Sequence, residues 1–261
     1  MNLLIVSHVK KNKAAYCFNV KVLRYIFAGH GSLFIIILER CCMVKIRSLI
    51  VQLLVIMSLF ELHAHDRLPV PYNSIDVLPL DMHGWFADVN RRYLEHFIKT
   101  YNPQIIVELG SWLGKSCIFM GKISSATARV YAVDNWTAID DASIQGDSVA
   151  KAKLATLYQQ FLSNVIHNEL TEKIVPIRMN TLQAAAEFEM AIDLIYVDAS
   201  HDEQNVYNDI MAWYPKLKIG GIMCGDDYDA KSVQRAVKRA NVILQCDLKH
   251  EASFWYWVKV K

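Results

Sequence analysis

From residue 104 onward, short apolar runs alternate with helix-spaced segments, and this alternation constrains the fold more than any other feature. The runs lie at 104–109, 129–133, 173–177, 192–197, 219–224, 242–246 and 254–260. Between them, Ile118, Phe119 and Ile123 mark one helix, and Leu154, Leu157, Tyr158, Phe161, Leu162, Val165 and Ile166 mark a second. Val206, Ile210, Met211 and Trp213 mark a third, which stops before Pro215, and Val233, Ala236 and Val237 mark a fourth. The inner runs are nearly continuous apolar sequence, which suits strands covered on both faces. The pattern predicts an α/β, Rossmann-like, doubly wound sheet of seven mostly parallel strands. The last two runs have little helix between them and predict an antiparallel hairpin at the sheet edge.

The 261 residues are enough for one large domain and an N-terminal extension, and 53% hydrophobic residues allow a sizeable core. Net charge is +2, with no basic run interleaved with aromatics, so nucleic acid is not an expected partner. None of the six cysteines forms a C-x-x-C pair, which argues against zinc. Cys117 and Cys224 read as small core hydrophobes. Residues 1–65 form a separate extension. Within it, Met43, Lys45 and Arg47 precede an apolar stretch to Phe60 and then Leu62-His63-Ala64, the order of a signal peptide. Met43 then becomes an alternative start, and a membrane anchor is the other reading of 43–64. Any membrane contact is expected through that segment alone. Residues 66–83, with Pro69, Pro71 and Pro79, read as a linker. The domain is expected over 84–261. It opens with a helix marked by Phe86, Val89, Tyr93, Leu94, Phe97 and Ile98 and ended by Asn102-Pro103.

After the first run, Val107-Glu108-Leu109-Gly110-Ser111-Trp112-Leu113-Gly114-Lys115-Ser116 turns into a helix. Gly110 permits a sharp turn and close approach of a ligand, Gly114 permits close packing, and free amides at a helix start attract polar or anionic groups. The spacing differs from the dinucleotide fingerprint, whose second glycine is here Trp112, so a nicotinamide reductase is disfavoured. The second run ends in Asp134, 24 positions after Gly110, where an acid can accept hydrogen bonds from ribose hydroxyls. Asn135 and Trp136 follow. Trp136 is placed either to line an adenosine pocket or to fill the core.

These residues resemble class I S-adenosylmethionine-dependent methyltransferases, and more narrowly the small-molecule O-methyltransferases of the macrocin and catechol types. The resemblance covers about 84–261. It rests on Glu108–Ser116, Asp134, the block Ile192–His201 and the block Gly220–Tyr228. It implies that Glu108, Gly110, Ser111, Gly114 and Ser116 line the cofactor and that Asp134 holds the ribose with Asn135 and Trp136 beside it. It also implies that Asn180 sits near the adenine and that Asp198 borders the same pocket. S-adenosylmethionine is made and kept in the cytosol, which argues against export and leaves localisation open.

Asp198 ends the fourth run, and Asp226 and Asp227 end the fifth. Neighbouring strands lie about 5 Å apart, so the three carboxylates can converge. Unpaired, they repel, and a hard divalent cation such as Mg²⁺ removes that conflict. The resemblance implies that these three are the ligands. His201, three residues after Asp198, is the candidate general base, with Asp198 as the second catalytic residue. The leading expectation is metal-assisted O-methylation of a small hydroxylated acceptor. The alternatives are a metal-independent N- or O-methyltransferase using His201, and a cofactor-binding protein without catalysis. Each residue also has a plain reading: Asp198 as a helix cap, Asp226-Asp227 as a solvated turn, His201 as a structural histidine. A polar segment, 137–150, reads as a lid or a surface loop, and Met82–Phe86 as a cover from the N-terminal side. A homo-oligomer is compatible with the sequence.

Overall fold

Strand β1 (Ile105–Leu109) is buried along nearly its whole length, and its side chains alternate between two cores. Ile106 packs with Leu94, Phe97, Phe161 and Leu194 on one face, while Val107 and Leu109 pack with Val133, Ile195 and Trp213 on the other. The same alternation splits Leu194 from Ile195. A strand with apolar partners on both sides explains the continuous apolar runs.

The computed structural model describes residues 68–137 and 146–260, with Ser7–His8 and Asn19–Val20 as a short antiparallel pair. The chain divides into residues 1–67 and 68–261. The signal-like segment 43–64 and the alternative start at Met43 lie outside the described residues, as does most of the polar segment 137–150. Among the described residues no helix is long and apolar enough to cross a membrane.

Within the larger unit the strands are β1, β2 (Arg129–Asp134), β3 (Ile174–Arg178), β4 (Ile192–Val197), β5 (Leu217–Gly225), β6 (Lys249–Glu251) and β7 (Phe254–Val258). The helices are α1 (Asp88–Tyr101), α2 (Lys115–Ile123), α3 (Ser148–Lys151), α4 (Leu157–His167), α5 (Thr181–Glu187), α6 (Glu203–Trp213) and α7 (Lys231–Leu244). The sheet order is β3-β2-β1-β4-β5-β7-β6. The first five strands are parallel, with Val107 between Tyr131 and Ile195, while β7 pairs antiparallel with both β5 and β6. This is the seven-stranded, Rossmann-like sheet with an antiparallel edge hairpin. The order reverses between β1 and β4, so the crevice for a ligand opens above their carboxyl ends.

The structure departs from the sequence reading in four places. The run 242–246 is not a strand: α7 continues through Leu244, and Gln245 closes it in a left-handed conformation. Its buried stripe is Val233, Ala236, Val237 and Ala240, so Val242 at 77% exposure is a surface residue. The sixth strand is the polar Lys249–Glu251, which has no apolar run to reveal it. Helix α5 between β3 and β4 has a short, Ala-rich pattern that the apolar periodicity passes over. Residues 68–83 are no linker. Tyr72 is buried with its hydroxyl donating to Ile174 O at 2.7 Å, and Leu78 N and Asp81 N donate to Ser163 Oγ and Asn164 Oδ1 on α4.

Candidate functional site

The carboxyl ends of β1, β2, β4 and β5 are stitched together by backbone hydrogen bonds. Gly110 N donates to Val133 O at 2.9 Å, Asp198 N to Leu109 O at 2.8 Å, and Asp226 N to Val197 O at 3.2 Å. Gly110 has φ +86°, and a Cβ there would lie 2.2 Å from Asp198 O and 2.5 Å from Ala199 Cα. The close approach that demands glycine is therefore made by the protein's own backbone after β4. Gly114, at φ +89°, makes room for the Phe161 ring of α4.

The turn is filled from beneath by an acid. Glu108 is fully buried, Oε2 accepting from Ser111 Oγ at 2.6 Å and Oε1 from Ser116 Oγ at 2.5 Å. Burial raises its pKa to about 7, against the lowering effect of those hydroxyls. Glu108, Ser111 and Ser116 thus face one another rather than the open crevice. Asp134 stands at the end of β2, half-buried, and accepts from Ser111 N and Trp112 N at 3.0 Å each and from Trp136 N at 2.6 Å. Burial raises its pKa while those amides lower it. The Asn135 amide is a fourth backbone donor to the same carboxylate.

Trp136 is 3% exposed, its indole packs on Tyr158 and Phe161, and its Nε1 donates to Trp112 O at 2.8 Å. It is a core residue rather than a pocket wall. Asn135 is exposed, its side chain capping Thr137 N. Asn180 is the N-cap of α5, accepting from Leu182 N at 2.9 Å. The segment Met82–Phe86 lies against the turn. Lys115 Nζ donates to Gly84 O, and Gly84 sits on the Trp112 indole.

The three aspartates are brought together. One carboxylate oxygen from each of Asp198, Asp226 and Asp227 lies within 4.8 Å of the others. Asp198 has its pKa raised well above the usual range by burial and then by the charges of Asp226, Asp227 and Glu108, while a hydrogen bond from Tyr196 holds it back. Asp226 is raised by burial, and its Oδ1 is buried without a partner. The residues fit a cation: the donors are all oxygen, their like charges repel, and one acceptor is orphaned. His201 Nε2 lies 2.8 Å from Asp227 Oδ2, which fixes the ring beside the cluster. Asp202, not Asp198, caps α6, accepting from Gln204 N and Asn205 N.

Sequence reasoning missed Asn90 and Tyr196. Asn90 Nδ2 donates to Tyr196 Oη at 3.0 Å next to the cluster, and both residues are buried. The available signal was a polar residue on the apolar stripe of α1.

A family model described as a methyltransferase domain matches residues 107–228. A comparison with curated proteins finds no match. Among solved structures, the chain is similar to the O-methyltransferase TomG from Streptomyces achromogenes, involved in tomaymycin synthesis and crystallised with S-adenosylmethionine. The identity is 10%, the TM-score is 0.52, and 68% of this chain and 82% of that one are covered. A provisionally assigned O-methyltransferase from Klebsiella pneumoniae gives 16% identity, a TM-score of 0.51 and coverage of 76% and 86%. At these identities the likeness concerns the fold.

Proposed function

We propose that the chain, whose residues 107–228 match a methyltransferase-domain model, is a class I S-adenosylmethionine-dependent methyltransferase that carries out metal-assisted methylation of an oxygen on a small hydroxylated molecule. The observation that carries the reading is the convergence of Asp198, Asp226 and Asp227 at the carboxyl ends of β4 and β5. S-adenosylmethionine supplies the methyl group as a sulfonium cation. The turn Glu108–Ser116 and Asp134 would hold it. The solved relative TomG holds the same cofactor on the same fold.

Asp198, Asp226 and Asp227 would hold Mg²⁺, which when bound lowers the pKa of an acceptor hydroxyl and orients it. The chain's own contribution is placement, and alignment of two bound reactants is worth several orders of magnitude in rate. His201, oriented by Asp227, accepts the acceptor's proton in this reading. A second reading, metal-independent transfer to N or O with His201 as base, is favoured by the 2.8 Å contact of His201 with Asp227, an acid–imidazole pair complete without a cation.

The test is methyl transfer from S-adenosylmethionine to a panel of catechols and sugar diols, with and without EDTA. Metal assistance predicts loss of turnover with EDTA, recovery on added Mg²⁺, and loss of about 10²-fold or more in Asp198→Ala. Full activity in EDTA together with loss in His201→Ala selects the second reading.

A further inference from the structure

Helix α1 faces the sheet through Leu94, Phe97 and Ile98, and Phe86 packs on the same core just before it. Asn90 lies on that stripe, four residues after Phe86 and four before Leu94, and is 0% exposed. A buried amide is destabilising unless both of its ends are satisfied. Asn90 Nδ2 donates to Tyr196 Oη, but Oδ1 is buried with no partner. A leucine has the same branched shape and would leave no orphan oxygen, so apolar packing does not account for this residue. Its surroundings do. Tyr196 is the penultimate residue of β4, and its hydroxyl hydrogen-bonds to Asp198. Asn90 also hydrogen-bonds to Asp226, whose own Oδ1 is orphaned. The amide therefore touches both strand ends that carry the carboxylates.

We infer that Asn90 and Tyr196 are positioning residues that hold Asp198 and Asp226 at the spacing a divalent cation requires. The inference rests on the metal-assisted reading above. Donors to each carboxylate offset the mutual repulsion of the acids and fix their orientation before any cation arrives. The pair joins residues 106 positions apart, so α1 supplies a part of the site that no strand-end motif contains.

Calorimetric titration of Mn²⁺ into the full-length protein, Tyr196→Phe, Asn90→Leu and the double variant tests this, with melting temperature and S-adenosylhomocysteine affinity measured alongside. Each single variant is expected to bind Mn²⁺ about 10–100-fold more weakly. The double variant should be no weaker than the weaker single one, since the two residues act as a unit. S-adenosylhomocysteine affinity is expected to hold, and the melting temperature of Asn90→Leu to hold or rise because an orphan oxygen is removed. A merely structural role predicts the reverse, a fall in melting temperature with Mn²⁺ affinity intact. Wild-type Mn²⁺ affinity in both single variants overturns the inference and leaves the metal-assisted reading standing. If Asn90→Leu does not fold, Tyr196→Phe decides alone. Should the unaltered protein bind no Mn²⁺, the metal-assisted reading fails and takes the inference with it.

Discussion

Glu108 is an acid placed where water does not reach it. With its folded pKa at about 7 against an ordinary 4.5, the folded state favours the protonated form. The stability this contributes is fully present below pH 4.5 and is lost as pH rises through 7. The displacement corresponds to about 3 kcal/mol at pH 8 in the cofactor-free protein. Glutamine keeps the shape and can still bond both Ser111 and Ser116. Urea unfolding at pH 5 and pH 8 should show Glu108→Gln less sensitive to pH than the unaltered protein, and more stable at pH 8 by up to about 3 kcal/mol. Equal pH dependence of the two would mean that Glu108 is charged in the fold. At this scale the sequence marked positions on the turn but not their partners. Glu108, Ser111 and Asp134 were legible as members of a turn. That the acids would take up the serine hydroxyls and turn amides depends on where those groups point, which spacing does not encode. Trp136 went inward for a similar reason: α4 supplies Tyr158 and Phe161 as partners from a distant stretch of chain.

The turn between β1 and α2 is the element on which both halves of the site depend. Its two glycines have different neighbours, and substitution should separate them. At Gly110 a methyl group would meet backbone atoms of Asp198 and Ala199 that are pinned by the hydrogen bond from Asp198 N to Leu109 O. Neither side can yield, so Gly110→Ala should destabilise by about 4 kcal/mol or more and move Asp198 as it does so. At Gly114 the methyl group would meet the edge of the Phe161 ring at 3.1 Å, a side chain that need give only a few tenths of an ångström, leaving mainly the cost of a positive φ, about 1–2 kcal/mol. Chemical denaturation of both variants checks the order, and equal losses would refute the backbone argument. Elements with a strong apolar period were legible along the chain: β1, β2, β4, β5 and the face of α1. Those without one were not. Lys249–Glu251 is a strand because Phe254–Val258 offers it an edge, and 242–246 is helical because the stripe of α7 outweighs a local apolar run.

At the scale of the whole domain, the question is where it begins. Composition drew the boundary at residue 84, because three prolines before it resemble a linker. The contacts draw it at Leu68. Asn164, fully buried on α4, donates from Nδ2 to Asp81 O at 2.6 Å and to Leu113 O at 2.8 Å, and its Oδ1 accepts from Asp81 N. It therefore ties the N-terminal strap to the glycine turn through one side chain. Ser163 and Gln160 hold Leu78 N and Pro79 O in the same way, and Tyr72 fills the core beneath them. Removing residues before 84 would uncover the Tyr72 site and leave these polar groups partly unpaired. Each buried group so orphaned costs about 1–3 kcal/mol, and losing a buried aromatic adds a similar amount. The sum is comparable to the roughly 5–15 kcal/mol that holds an ordinary domain together. A fragment of residues 68–261 should therefore unfold in one cooperative transition and bind S-adenosylhomocysteine. A fragment of residues 84–261 should melt far lower or not fold, and bind the cofactor weakly because Asn164, which anchors Leu113, loses its Asp81 partners. Thermal melts and cofactor titration of the two fragments decide the matter. If the shorter fragment matches the longer one, the strap is a passenger and the boundary belongs where the prolines suggested.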